Sequence, residues 1–175
     1  GAVLWSYEIP SLRRVNIPHD CSNWCADDDH VYLALGNRLW MLDARTGELR
    51  HALHLPQPER EKHEWGFIAQ EDDYLVGSAV RSNSTYREFW GAMHWYDKVG
   101  AAALIAQVCS ERLFGYRKSN AKGSWTYGQG LILNPTLALH GGKLYFLENR
   151  SLQLPPGGTA RVTDRKLWLN LTAVC

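Results

Sequence analysis

The stretch Arg38–Leu53, with the sequence Arg-Leu-Trp-Met-Leu-Asp-Ala-Arg-Thr-Gly-Glu-Leu-Arg-His-Ala-Leu, decides the fold. Its apolar residues fall in two short runs on either side of a polar segment that contains Asp43 and Gly47. The carboxylate of Asp43 can accept hydrogen bonds from the backbone amides that follow it, and Gly47 can adopt the positive φ that closes such a turn. The stretch therefore predicts two antiparallel strands joined by a tight turn.

The same pattern returns later in the chain. Residues 112–127 align with residues 38–53 without a gap, and both copies open with Arg, Leu and an aromatic residue. The half of the repeat upstream of this stretch also recurs, as a small apolar strand, a polar turn and an aromatic-aliphatic strand. It is found at residues 25–33, 68–76 and 137–146. Each repeat is therefore predicted to contain four short strands.

The first residues of the chain match the end of a repeat. Gly1 aligns with Gly47 at an offset of 46 positions, which places Trp5 at the position of His51. Trp125 occupies the same position in the later copy, 74 residues after His51. We therefore expect residues 1–10 to be the last strand of an earlier repeat.

A period in the forties with four short strands per unit is typical of a β-propeller blade. The second interval is 74 rather than 46 positions, which indicates an insertion of about 28 residues at residues 81–103. A generic antiparallel sandwich is the alternative, and the gap-free internal repetition argues against it. We predict an all-β fold, a partial β-propeller of four-stranded antiparallel blades. Its units are the end of a blade at 1–10, a full blade at 15–56, a blade with an aromatic insertion at 65–128 and the start of a further blade at 130–175.

Leu39–Glu48 resembles the repeat of the pyrroloquinoline-quinone (PQQ)-type β-propellers of bacterial envelope proteins, whose blades carry an ALDxxTGxxxW turn. Asp43 and Gly47 match the Asp and Gly of that turn, and His51 stands where the family has Trp. The family includes dehydrogenases that bind the quinone and envelope scaffolding proteins that bind none. Members of the quinone-dehydrogenase group carry two adjacent cysteines against the cofactor, and this sequence has no such pair. That difference argues against a bound quinone in this part of the chain.

Composition and charge narrow the class of protein. The chain has 175 residues, of which 45% are hydrophobic, enough for one core and too many for a disordered segment. Its formal net charge is +1 and its basic residues are scattered, so nucleic acid is not an expected partner. No apolar run approaches the roughly 20 residues of a membrane helix. An open arc of blades would expose edge strands at both ends, so we expect a fragment of a longer polypeptide or a chain completed by others.

The cysteines and acidic runs are interpreted as structural. Cys21 and Cys25 could form a disulfide, and their spacing lacks the second cysteine pair of a zinc site, so we predict no metal site. Asp27–Asp29 could be a calcium cluster, but calcium loops place carboxylates at alternate positions. Glu71–Asp73 occupies the equivalent turn of the next repeat. An acidic turn that recurs by position is expected to belong to the fold.

The insertion is the expected place for a binding site, because loops on a repeat scaffold carry function more often than strands do. Three interpretations remain open for its rings: a small local core, contact with another protein chain, or stacking on a ligand. His94 and Asp97 could form an acid-base pair, although a spacing of three residues on a loop is weak evidence for one. The candidate ligand- or partner-binding residues are Tyr86, Phe89, Trp90, His94, Trp95 and Tyr96.

The last part of the chain predicts two strands about Gly141–Gly142 and a terminal strand at residues 165–171. Glu148 and Arg150 lie two residues apart on one face of a strand, so they could pair or line a central channel. A structural salt bridge is the favoured interpretation.

Two functions follow from these patterns. In the first, the chain is a non-catalytic binding or scaffold module of the bacterial periplasm or cell envelope, and its partners are other protein chains or the rest of its own propeller. In the second, it is part of a quinoprotein or cytochrome-linked oxidoreductase that binds PQQ with a divalent cation. No triad spacing, phosphate-binding glycine loop or paired carboxylates stand out, so no catalytic residue is predicted and no cofactor is expected.

Overall fold

The computed structural model describes residues 1–8, 23–56, 62–82, 84, 107–158, 160–162 and 165–175. In these ranges the regular structure is antiparallel strands and short 3₁₀ turns, which confirms the predicted all-β fold. The described sheets do not close into a ring. The strands are β1 (Trp24–Ala26), β2 (His30–Leu35), β3 (Arg38–Asp43), β4 (Leu49–His54), β5 (His63–Glu71), β6 (Tyr74–Arg81), β7 (Gln107–Ser110), β8 (Arg112–Arg117), β9 (Lys122–Tyr127), β10 (Leu131–Leu133), β11 (Ala138–His140), β12 (Lys143–Asn149), β13 (Arg161–Val162) and β14 (Leu171–Val174).

The strands form three sheets. Sheet 1 has the order β1-β2-β3-β4, and sheet 2 has the order β5-β6-β8-β9, so each is a four-stranded antiparallel meander. Sheet 3 is built around β12, which pairs with β10, β11 and β14, while β7 and β13 extend it beyond β10. Strands β7 and β8 are separated by Glu111 alone, so one continuous stretch of chain contributes to both sheet 2 and sheet 3.

The sequence repeat is reproduced in the pairing of the strands. The ladder between β3 and β4 shifts register between Met41 and Leu42, and the ladder between β8 and β9 shifts between Gly115 and Tyr116. These two β-bulges are 74 positions apart, which is the offset of the sequence repeat. A bulge re-aims the residues that follow it, so the two copies direct corresponding side chains to corresponding faces.

The turn after the bulge is held by a carboxylate in both copies, but from different residues. In sheet 1 the Asp43 Oδ1 accepts hydrogen bonds from the amides of Arg45 and Thr46, both at 2.9 Å. In sheet 2 the position of Asp43 is taken by Arg117, and Asp73 of the neighbouring hairpin accepts from the Ser119 amide at 2.9 Å. The apparent decay of the second turn in the sequence is therefore compensated across the sheet.

Sheets 1 and 2 pack face to face. One cluster contains buried apolar side chains from both sheets, among them Tyr32 and Leu39 from sheet 1 and Ile68 from sheet 2. Trp65 lies edge-on to Phe114 in this cluster, with ring centroids 5.0 Å apart. Two further clusters join sheet 2 to sheet 3. They consist of Leu113, Ile132, Leu137 and Phe146, and of Val80, Val108, Cys109, Leu131, Leu133, Leu154, Ala160 and Leu167.

The end of the chain differs from its prediction. The hairpin about Gly141–Gly142 is confirmed, but residues 165–171 do not form a strand; Arg165–Trp168 is a 3₁₀ turn and the strand is Leu171–Val174. The physical reason is Asn149, whose buried amide donates to the carbonyls of Lys166, Leu167 and Leu169 at 2.8–3.1 Å. Three carbonyls converging on one donor group require a tight turn rather than an extended backbone.

Gly47 and Ala121 occupy the same position of the repeat, so the effect of substituting each on the free energy of unfolding tests whether their turns are equivalent. Gly47 has φ +73° and Ala121, its counterpart 74 residues later, has φ +56°. A left-handed conformation costs an L-residue with a side chain roughly 1–2 kcal/mol, partly offset by the lower unfolded-state entropy of Ala. We expect Ala121→Gly to raise the free energy of unfolding by up to about 1 kcal/mol in a urea titration.

The matched variant Gly47→Ala should lower the free energy of unfolding by more than the first change raises it, because the added Cβ would also lie 2.6 Å from Cε3 of Trp5. Equal effects of the same sign from both variants would contradict the equivalence of the two turns.

Candidate functional site

The face of sheet 1 directed away from sheet 2 is largely apolar. Side chains alternate along each strand, and Tyr32, Leu39 and Met41 face the shared cluster, so their neighbours in each strand face the other way. The register places these outward residues opposite one another in rows. We define the outer face of sheet 1 as Trp24, Ala26, Val31, Leu33, Trp40, Leu42, Leu49 and Ala52. Trp24 is 58% exposed and Leu49 is 41% exposed, whereas Leu42 is 2% exposed, so this apolar face is in solvent along its edge strands and covered at its centre.

Residues 1–8 lie against part of this outer face. The indole Nε1 of Trp5 donates to the Ala44 carbonyl at 2.9 Å, and its ring rests on Gly47. Tyr7 packs edge-on against Trp40, with ring centroids 5.5 Å apart. Between these anchors Val3 and Leu4 are 86% and 79% exposed. Residues 1–8, whose sequence matches the last strand of a repeat, are thus held on sheet 1 by Trp5 and Tyr7.

Sheet 3 also has an open face. Phe146 and Val174 face the cluster shared with sheet 2, so Tyr145, Leu147 and Ala173 face away from it. The turn before β14 exposes two more large apolar side chains, Trp168 at 52% and Leu169 at 60%. Strand β14 pairs with β12, and its other edge carries no strand in the described ranges.

A polar cluster joins the end of β6 to the junction of β7 and β8. Arg81 ends β6, and its Nε and Nη2 donate to the two carboxylate oxygens of Glu111 at 2.9 Å each. The Nε2 of His63 lies 3.4 Å from Glu111 Oε2. His63 and Arg81 together lower the pKa of Glu111 to about 2, against the opposing effect of burial. Arg81 also donates to the carbonyls of Pro155 and Gly158, so it joins the end of β6 to that loop.

A second polar cluster joins sheets 2 and 3. The side chain of Glu148 is fully buried, and its Oε1 accepts from the Tyr127 hydroxyl at 2.8 Å and from Arg150 Nε. This geometry confirms the salt bridge expected between Glu148 and Arg150. The other carboxylate oxygen, Oε2, is buried and meets no hydrogen-bond partner among the described residues. A buried carboxylate is costly unless it is paired, and the Tyr127 hydroxyl and Arg150 pair with Oε1 alone.

A third cluster joins sheets 1 and 2. Lys118 Nζ donates to Asp27 Oδ2 at 2.8 Å and to Gln70 Oε1 at 3.0 Å, while the Tyr32 hydroxyl donates to the same carboxylate at 2.9 Å. Partial burial would raise the pKa of Asp27, but the bonds from Lys118, Tyr32 and backbone amides outweigh it and lower the pKa to about 2. Asp27 also accepts from the amides of Asp29 and His30. The acidic turn is therefore part of the fold, as its recurrence in the sequence indicated.

The nearby thiol of Cys25 is poorly suited to nucleophilic chemistry. Burial, with a smaller contribution from the charge of Asp27, raises its pKa to about 12. A thiol reacts as its thiolate, which this environment disfavours at neutral pH. Cys21 lies outside the described residues, so its disulfide with Cys25 stays a prediction.

The six aromatic and histidine residues predicted as a binding site also lie outside the described residues. They are Tyr86, Phe89, Trp90, His94, Trp95 and Tyr96. Within the described ranges, His, Cys, Asp and Glu side chains do not gather in groups of three or more that could hold a metal ion.

The sequence did not single out the cluster of His63, Arg81 and Glu111. Its members are 18 to 48 residues apart, and nothing in their spacing marks them. One signal was available: Arg81 stands at the first border of the insertion predicted at 81–103, and Glu111 lies eight residues after the second.

No protein-family model matches the chain, and a search of curated proteins finds no significant match. In the part of the chain that the structure describes, no helix has the length and apolar character needed to cross a membrane.

The Glu111 cluster predicts a pH-dependent contribution to stability. The pKa of Glu111 is about 2 in the folded protein against an ordinary value of 4.5, so its stabilisation is present above pH 4.5 and is lost as the pH falls through 2. We expect Glu111→Gln to lower the free energy of unfolding by about 2 kcal/mol at pH 7, because it removes charge-assisted hydrogen bonds. The deficit relative to the unmodified protein should shrink between pH 4.5 and 2.5, measured by urea denaturation.

Asp28→Asn is the control, since it removes an exposed carboxylate from the β1–β2 turn. A Glu111→Gln deficit that stays constant over this pH range would contradict the assigned electrostatic role.

The buried carboxylate of Glu148 predicts a second effect. Tyr127→Phe removes one hydroxyl that donates to Glu148 and should lower the free energy of unfolding by about 2 kcal/mol. Tyr7→Phe is the control, because Tyr7 contacts Trp40 through its ring. Thermal or urea unfolding that shows equal, small losses for both variants would argue against this hydrogen bond.

Proposed function

We propose that this chain is a non-catalytic, propeller-type binding module of the bacterial cell envelope that mediates protein–protein assembly. The observation that carries the proposal is the outer face of sheet 1, which is apolar, partly in solvent, and already holds one added segment, residues 1–8. Large exposed apolar surfaces on soluble proteins mark interaction sites.

The propeller assignment is supported by the way the sheets repeat. Two four-stranded meanders share a bulge at the same repeat position and pack face to face. Trp5 bridges from the end of one repeat to the turn of the next, through its bond to Ala44. In a β-propeller each blade packs between two neighbouring blades, so both of its faces are buried. A blade that lacks one neighbour leaves one face exposed. The bacterial-envelope setting rests on the resemblance of Leu39–Glu48 to the PQQ-type repeat.

The partner implied by this surface is a protein surface of the same character. Aromatic residues such as Trp40 and Tyr7, with Leu33 and Leu49, have the composition that is enriched in the buried cores of interfaces. A second apolar sheet, packed about 10 Å away, would cover the outer face as sheet 2 covers the inner one. That sheet belongs either to another chain or to further repeats of the same polypeptide.

A photo-crosslinking residue at Leu49, which is exposed on the outer face, tests this proposal in the source cells or their envelope extract. We expect discrete adducts whose cross-linked peptides come from one or a few proteins. The same residue at Lys122, exposed at the start of β9 in sheet 2, is the matched control and should give no discrete adduct.

The outcome against the proposal is equal, diffuse labelling at both positions. An absorption spectrum of the isolated protein addresses the alternative function, because a quinone bound with a divalent cation would give visible absorbance and dye reduction. Such absorbance would favour the oxidoreductase over the scaffold.

A further inference from the structure

We infer that Asn170 is a site of N-linked glycosylation and that the first sugar of its glycan packs on the ring of Trp168. The modification takes place outside the cytoplasm, so the inference rests on the extracytoplasmic setting of the proposed function. It assigns a covalently attached oligosaccharide to the exposed turn that precedes β14.

The first step is the acceptor pattern. N-linked glycans are attached to asparagine in the sequence Asn-x-Ser/Thr, where x is not proline. Three asparagines of the chain meet this pattern, and they are Asn83, Asn149 and Asn170. Asn134 is followed by Pro135 and Thr136, so the proline excludes it. So short a pattern also occurs by chance, and the choice among the three therefore depends on the structure.

The second step is that the structure rules out Asn149 as an acceptor. Its side chain is fully buried, and its Nδ2 is the atom that would carry the glycan. That nitrogen donates to the carbonyls of Lys166, Leu167 and Leu169 at 2.8–3.1 Å. A sugar on it would break these bonds and would have to enter the core, so a chain modified there could not form this fold. Asn83 lies outside the described residues.

The third step is the position of Asn170. The residue is exposed and has φ +57°, a left-handed conformation that asparagine adopts more readily than most residues do. It lies between the 3₁₀ turn Arg165–Trp168 and the first residue of β14. The bond from Asn149 to the Leu169 carbonyl holds the backbone before it, and the ladder with β12 holds the backbone after it. A glycan on Asn170 would therefore extend into solvent from a fixed turn, and it would disturb neither the core nor a ladder.

The fourth step is the aromatic ring two positions before the acceptor. Trp168 is 52% exposed in the same turn, and its neighbour Leu169 is 60% exposed. The face of an aromatic ring carries a negative potential, which attracts the C–H groups of a sugar. The first sugar on Asn170 is within reach of a ring two residues away. The glycan would thus cover apolar surface that the described sheets leave in solvent.

The transfer is a substitution at the sugar. The Nδ2 of Asn170 attacks the anomeric carbon of a lipid-linked oligosaccharide diphosphate on a membrane-bound transferase. The bond from nitrogen to the anomeric carbon forms and the bond from that carbon to the diphosphate oxygen breaks. The lipid diphosphate leaves with the electron pair, and one amide proton passes to a base of the transferase. The hydroxyl of Thr172 completes the acceptor pattern and is half-buried in β14, so transfer precedes the pairing of β14 with β12.

The first measurement is peptide mapping by mass spectrometry of the protein purified from its source. We expect an added oligosaccharide mass on the peptide that contains Asn170, and a peptide N-glycosidase in heavy-oxygen water should leave a labelled aspartate there. The peptides that contain Asn134 and Asn149 are internal controls and should be unmodified. Asn170→Gln and Thr172→Ala should lose the added mass, whereas Thr172→Ser keeps the hydroxyl and should retain it.

The second measurement tests the contact with Trp168. Enzymatic removal of the glycan should lower the Tm of the native sequence by about 2–4 °C, the shift expected from one ring contact in a chain of this size. In Trp168→Ala the same treatment should lower the Tm by less than half as much. Leu169→Ala is the matched control, because it shortens the neighbouring exposed side chain and should keep the full shift.

An unmodified Asn170 in the source protein would overturn the site, as would a glycan on Asn149. Equal shifts in the native sequence and in Trp168→Ala would overturn the contact with the ring. The proposed function is tested separately by the adducts at Leu49. Discrete adducts with an unmodified Asn170 would leave the assembly function standing without the glycan. A glycan on Asn170 with diffuse labelling at Leu49 would leave the site standing and remove the assembly function.

Discussion

Each of the three described sheets has apolar residues on both faces, and the need to bury them governs the rest of the structure. Sheet 2 is covered on both faces through its inner strands, with Trp65, Phe114 and Tyr116 directed to sheet 1 and Leu113 and Val80 directed to sheet 3. Within sheet 2, the ring of Trp65 lies over Gly77 of the neighbouring strand, where a Cβ would overlap it. Sheets 1 and 3 each have one face covered in this way and one that is partly in solvent. An antiparallel sheet with a solvated outer face normally carries polar residues there, so these apolar outer faces indicate further packing.

Apolar packing fixes the distance between sheets but leaves their relative position poorly specified, and polar contacts at the interfaces supply that specification. Lys118 of sheet 2 binds Asp27 of sheet 1, and the Tyr116 hydroxyl donates to the His54 carbonyl at 2.6 Å. Between sheets 2 and 3, the carboxylate of Glu71 accepts from the amides of Gly141 and Gly142 at 2.8 and 2.7 Å. Each contact joins the turn or rim of one sheet to the next. A slip between sheets would leave these charged groups without partners, which is costly even where they are only half-buried.

The repeats have diverged in sequence while keeping their backbone geometry. Asp43 caps its own turn in sheet 1, whereas in sheet 2 the equivalent turn is capped by Asp73 from another hairpin. Likewise Ala121 keeps the positive φ of Gly47 without the backbone freedom of glycine. The bulge and the turn depend on hydrogen-bond geometry, which several residues can satisfy, so the shape persists after the motif has been lost. This is why one copy of the repeat is easy to detect in the sequence and the others are not.

The sequence by itself determined the all-β class, the four-strand repeat around Arg38–Leu53 and its return at residue 112, because alternation and turn chemistry are local properties. It also indicated the structural role of Asp27–Asp29 and the pairing of Glu148 with Arg150, which are close in the chain. Only the tertiary structure decided that Arg81 at the end of β6 pairs with Glu111 between β7 and β8, and that Asn149 folds residues 165–169 into a turn. Those contacts join residues separated by about 20 to 30 positions, and no local pattern encodes which distant donor will meet which carbonyl or carboxylate. The open faces of sheets 1 and 3 were likewise decided by the tertiary structure. Alternation in the sequence shows that a strand has two faces, but only the packing of the sheets shows which face remains exposed.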